Sequence, residues 1–78
     1  MSASQPAENR PPLPRRQRQL LLLLAHGANT KEAAATMGIS LVMTQRHVSA
    51  LMRRYNCQTR ATLLLQAARS GDLERDDD

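Results

Sequence analysis

The stretch from Asn29 to Tyr55 constrains this chain more than any other, because it spells out two helix boundaries in quick succession. Asn29-Thr30-Lys31-Glu32 is a capping-box sequence: the Asn29 side chain can accept the N–H at the third helical position while Glu32 reaches back to the cap. An alanine-rich segment follows and ends at Met37-Gly38-Ile39-Ser40. Gly38 is the residue best able to take the left-handed conformation that terminates a helix. Ile39 can plug the corner, and Ser40 is a strong cap for the next helix. A short helix, a glycine turn and a longer basic helix make a helix-turn-helix, a motif that usually lays its second helix in the major groove of DNA.

The rest of the chain must fit around that motif. At 78 residues there is room for one small domain. A unit of about 60 residues buries only about 60% of its unfolded surface, so it gains from a partner. Phe and Trp are absent and Tyr55 is the only aromatic residue, so the core must be aliphatic. No run of alternating β-branched residues occurs, which predicts an all-α fold.

Four helices are expected. Met1 to Pro12 holds Pro6, Pro11 and Pro12 among polar residues and reads as a disordered arm. Pro14 suits the start of a first helix over 15–26, with Leu20, Leu21, Leu23 and Leu24 on its apolar face and Leu22 pointing away. Gly27 ends it. The second helix covers about 30–37 and buries Ala33, Ala34 and Met37; the third covers about 41–55. Asn56 and Cys57 turn the chain, and Thr59 caps a fourth helix to about Ser70. The domain thus spans 13–73, and 74–78 is an acidic tail.

Charge is unevenly spread. The net charge is +4, yet between Asn9 and Gly71 Glu32 is the sole acid, set against Lys31 and nine arginines. The remaining acids lie at Glu8 and from Asp72 to the end. A basic body with an acidic end points to a polyanionic partner, most often nucleic acid. At about 100° per residue, Thr44, Val48, Leu51 and Tyr55 make the core stripe of the third helix. Val42, Arg46, Ser49 and Arg53 lie opposite, flanked by Gln45 and Ala50, with Arg54 at one edge. Arginines also solvate ordinary helix surfaces; the distinguishing feature is that no acid occurs from Ala33 to Gly71.

Other chemistries find little support. The lone Cys57 cannot form an internal disulfide and reads as a half-buried structural thiol in a reducing cytosol. His26 and His47 sit on separate helices without a nucleophile or acid at catalytic spacing, and no metal-ligand or phosphate-loop spacing occurs. An enzyme, a metal and a cofactor are therefore not expected. Arg15-Arg16-Gln17-Arg18 before a leucine run has the look of an export signal, but the apolar run is six residues, below the roughly 7–15 of a signal core and the ~20 of a membrane span. A buried amphipathic helix is the better reading.

The ordered part of the chain, Leu13 to about Leu73, resembles the LuxR/GerE-type helix-turn-helix DNA-binding domain. The resemblance rests on the order and spacing of Leu13, Arg16-Gln17-Arg18-Gln19-Leu20-Leu21, Leu23-Leu24-Ala25-His26-Gly27, Lys31-Glu32 with Ala34, Met37-Gly38-Ile39-Ser40, His47 with Leu51, and Arg60 with Leu63-Leu64. It implies a four-helix fold whose third helix reads double-stranded DNA and whose fourth commonly forms the dimer contact. By that likeness Lys31, Arg53 and Arg54 occupy positions able to contact DNA. With Val42, Met43, Gln45, Arg46 and Ser49 they form the expected DNA-binding set, and Leu64, Leu65 and Ala68 the expected dimer surface.

The chain departs from the family pattern in places. Gln17 stands where a glutamate is usual, Pro14 where a capping Ser or Thr is usual, and Ala50 where a polar or basic residue is common. Leu41-Val42-Met43-Thr44-Gln45 replaces a polar, basic, Thr, Val, Lys run. Val42 and Met43 can pack on thymine methyl groups; Leu22, Leu41, Val42, Met43 and Leu65 can equally meet a protein. Relatives usually carry a receiver or ligand-binding domain, whereas here only the proline-containing arm precedes Leu13. The expectation is a stand-alone, homodimeric transcription regulator of the bacterial cytoplasm, nucleoid-associated, binding an inverted repeat, with RNA polymerase or another transcription regulator as a candidate partner. The alternative is an anti-activator or co-regulator that pairs with another transcription regulator.

Overall fold

The computed structural model describes residues 12–73; the arm expected over 1–12, except Pro12, and the acidic tail over 74–78 lie outside the described residues. Four helices make up the fold: α1 Arg15–Ala25, α2 Thr30–Met37, α3 Leu41–Arg54 and α4 Arg60–Arg69, with no strand among the described residues. The all-α, four-helix expectation is met. α1, α3 and α4 each stop one residue short of the range read from the sequence, because His26, Tyr55 and Ser70 act as caps.

The boundaries follow from local chemistry. At α2 the capping box closes in both directions, with the Glu32 N–H donating to Asn29 Oδ1 over 2.7 Å and the Asn29 N–H donating to Glu32 Oε1 over 2.9 Å. Ser40 Oγ accepts the Met43 N–H at 3.0 Å, and Thr59 Oγ1 accepts the Thr62 N–H at 3.1 Å. At the other ends the chain swings through a left-handed residue after each helix: Gly27, Gly38, Asn56 and Gly71. Each allows the paired backbone bonds of a Schellman turn, such as Gly38 N–H to Ala35 O and Ile39 N–H to Ala34 O at 3.2 Å each. Asn56, with φ 54°, is the one non-glycine residue in this role, and its short amide side chain makes it the best substitute for glycine there.

The core is aliphatic. Leu20, Leu21, Leu51 and Leu63 are completely enclosed, joined by Leu13, Leu24, Ala33, Met37, Tyr55 and Ala67. α1 lies against each of the other three helices, α2 packs on α3, and α4 rests chiefly on α1. Leu23, Val48 and Leu64 pack on this core from its margin. Leu22 is half-buried rather than turned wholly to water. Thr44 is the one buried polar residue among the described residues; its hydroxyl donates to Ser40 O at 2.8 Å, so it enters the core satisfied.

Candidate nucleic-acid interface

The turn between α2 and α3 fixes how α3 is presented. Gly38 reverses the chain, Ile39 tucks against the core and Ser40 restarts the helix at once. Thr44, Leu51 and Tyr55 then bury one side of α3, which forces the opposite side outward. There Val42, Gln45, Arg46, Ser49 and Arg53 line one shallow, open depression. All five are exposed. No side-chain hydrogen bond among the described residues ties down Gln45, Arg46, Ser49 or Arg53, so their polar groups are available to a partner.

The remaining residues expected at this surface fall around it. Met43 is 42% exposed on one flank of the stripe. Arg54 is half-buried near the C-terminal end of α3, and Lys31 is exposed in the first turn of α2. Ala50 is half-buried. The helix carries no acid in its first turn and ends on Arg53 and Arg54, so its own side chains contribute only positive charge. The groups expected for dimerisation divide: Leu65 is 50% exposed and Ala68 is exposed, while Leu64 is half-buried against the core.

Two contacts that sequence patterning does not reach tie the helices together. Arg60 Nη2 donates to Ala28 O over 3.1 Å, tying the start of α4 to the α1–α2 loop. Arg60 also lines a cleft of about 290 Å³ with Leu24, Val48, Met52 and Leu63. The Tyr55 hydroxyl donates to a carboxylate oxygen of Asp72, joining the end of α3 to the segment after α4. Both pair residues far apart in sequence, and a helical period carries no trace of such pairings.

His26 and Cys57 lie in structural surroundings. The His26 ring lies 2.7 Å from Leu22 O at the end of α1. Cys57 sits near the sulfur and carbonyl of Met52, and burial pushes its thiol pKa up, which disfavours the thiolate. Among the described residues no three His, Cys, Asp or Glu side chains gather where a metal ion could be held. No helix among them is long and apolar enough to cross a membrane.

An exposed arginine-bearing third helix, set on a glycine turn after a capped second helix, is the arrangement of a helix-turn-helix reader. The description "bacterial regulatory proteins, luxR family" matches residues 11–67. The chain belongs to that family. It is similar to the spore germination protein GerE of Bacillus subtilis (strain 168), 30% identical over 67 residues that cover 86% of this chain and 90% of GerE. Its fold resembles a solved structure, VqmA bound to DPO, with a TM-score of 0.76 at 23% identity; the match covers 82% of this chain and 32% of that one. That likeness concerns the fold alone. Membership of the luxR family makes this a DNA-binding, helix-turn-helix domain of transcription regulation.

Proposed function

We propose that this luxR-family chain binds an inverted-repeat DNA site as a homodimer, reading the bases with α3 and regulating transcription. The observation that carries the reading is the outer face of α3, where Arg46 and Arg53 stand exposed on one stripe with Gln45 and Ser49 and without any acid. Guanidinium groups on such a face suit guanine edges and phosphates. Lys31 and Arg54 flank it as backbone contacts, and Val42 and Met43 complete the recognition set.

Dimerisation through α4 follows from its outward side. Leu65 and Ala68 face water, with Leu64 at the margin, while Leu63 and Ala67 are consumed by the core. A leucine beside a small residue lets two copies of a helix approach closely, and a twofold axis there is self-complementary. Two α3 helices about 34 Å apart would match half-sites one DNA turn apart. The domain proper is assigned to 13–73, with 1–12 as an arm and 74–78 as an acidic tail. The protein acts in the bacterial cytoplasm at the nucleoid, where its DNA is, with RNA polymerase or another regulator as a further partner. The reading has no place for catalysis: His26 is engaged by a helix carbonyl, and among the described residues no hydrogen bond joins His47 to a nucleophile. No cofactor is called for.

Selection of binding sites from randomised duplexes tests this reading, with an inverted repeat as the expected product. Arg46→Ala should weaken the selected duplex by about 1–3 kcal/mol if the side chain contacts a guanine edge. Loss of equal size on every sequence, with a shallower salt dependence, would assign it to phosphate instead. Leu65→Glu should give a folded monomer, weak on the full site and little changed on a half-site. A wild-type chain that sediments as a monomer at high micromolar concentration, both free and on DNA, would refute the dimer.

The second reading, an anti-activator that pairs with another regulator, draws on exposed Leu41, Val42 and Met43. Selection that returns no sequence preference at all would favour it.

A further inference from the structure

α3 begins with three apolar side chains in water: Leu41, Val42 and Met43 are 43%, 58% and 42% exposed. The helix does not need them in order to start. Ser40 supplies the cap through the backbone N–H of Met43, a bond indifferent to the side chain there. Val42 is the most exposed of the three, and at about 100° per residue it falls in one narrow stripe with Arg46, Ser49 and Arg53. The four line the same depression. Leu41 and Met43 project to either side of that stripe.

The composition of the stripe selects its occupant. An apolar protein surface laid on Val42 would also have to desolvate Arg46, one turn away, and no acid on this face offsets that cost. The major groove presents both complements together: phosphates and guanine edges for the arginines and, on its floor, the C5-methyl group of thymine, the one apolar feature of a base edge there.

We propose that Val42 is a base-specifying residue that reads a thymine methyl group, with Leu41 and Met43 shielding the contact from water. The inference rests on the reading of α3 as the recognition helix and adds the identity of one base in each half-site. Four helical residues advance about 6 Å, and successive base pairs are about 3.4 Å apart. The thymine therefore lies about two base pairs from the base that Arg46 contacts.

The test replaces each thymine of the selected duplex in turn with deoxyuridine, which removes the methyl group and leaves every hydrogen-bonding group in place. At one position per half-site, about two base pairs from the step whose base preference Arg46→Ala relaxes, affinity should fall roughly fourfold for each methyl removed. Val42→Ala should bind the thymine and deoxyuridine duplexes equally, whereas Met43→Ala should still distinguish them. Val42 is exposed and alanine is a strong helix former, so circular dichroism of this variant should match that of the parent. Sequence-specific binding that is indifferent to deoxyuridine at every position overturns the inference and leaves α3 as the reader. So does discrimination that survives Val42→Ala. Loss of sequence-specific binding by the parent chain itself overturns the reading beneath it.

Discussion

α1 and α2 begin in opposite ways. α2 is closed by reciprocal bonds between Asn29 and Glu32, with an acid in the first turn where the helix dipole favours one. α1 begins after Pro14, which offers no side-chain cap, and its first turn holds Arg15, Arg16 and Arg18 and no acid. Positive charge at a helix N-terminus opposes the dipole. Yet α1 is the helix against which the other three pack, and Leu20, Leu21 and Leu24 are buried along it. α2 is only eight residues long and far below the length at which an isolated helix persists. Local bonds thus fix where the short helix at the corner starts, although it too leans on its neighbours, while the central helix is held by packing in spite of a poor beginning.

Three substitutions bear on that contrast. Leu21→Ala empties a site with no exposure at the centre of α1 and should cost about 2–5 kcal/mol, read as a fall in the urea midpoint. Asn29→Ala removes the cap of α2 and should cost about 0.5–2 kcal/mol. If it costs as much as Leu21→Ala, the division between local and packed support breaks down. The smallest effect has the opposite sign. Gln17→Glu puts an acid in the first turn of α1 beside three arginines and should raise stability by about 0.3–1 kcal/mol, a gain that shrinks with added salt. A loss of stability would mean that the half-buried position tolerates no charge.

The same contrast explains what could be read beforehand. Asn29, Glu32, Gly38, Ser40 and Thr59 announce helix ends through chemistry within a few residues of themselves, so the boundaries were legible to within one residue. The outward stripe of α3 was legible for a related reason: a helical period places Val42, Arg46, Ser49 and Arg53 together whatever surrounds them. The half-burial of Leu22 and Leu64 was not legible, since it depends on how closely neighbouring helices approach. Nor were the bonds from Arg60 to Ala28 O and from Tyr55 to Asp72, which link residues 32 and 17 positions apart.

The separation of duties along α3 has a consequence for how such a protein changes over generations. Thr44, Leu51 and Tyr55 are committed to the interior, whereas Val42, Gln45, Arg46, Ser49 and Arg53 bear little of the fold's stability. Exposed substitutions at such sites usually shift stability by less than about 0.5 kcal/mol. New side chains can therefore accumulate on the outer stripe without first unfolding the scaffold. If this face reads DNA as proposed, a repertoire of DNA preferences is open to this lineage through one helix face, and the same five positions are where a designer would begin to retarget it.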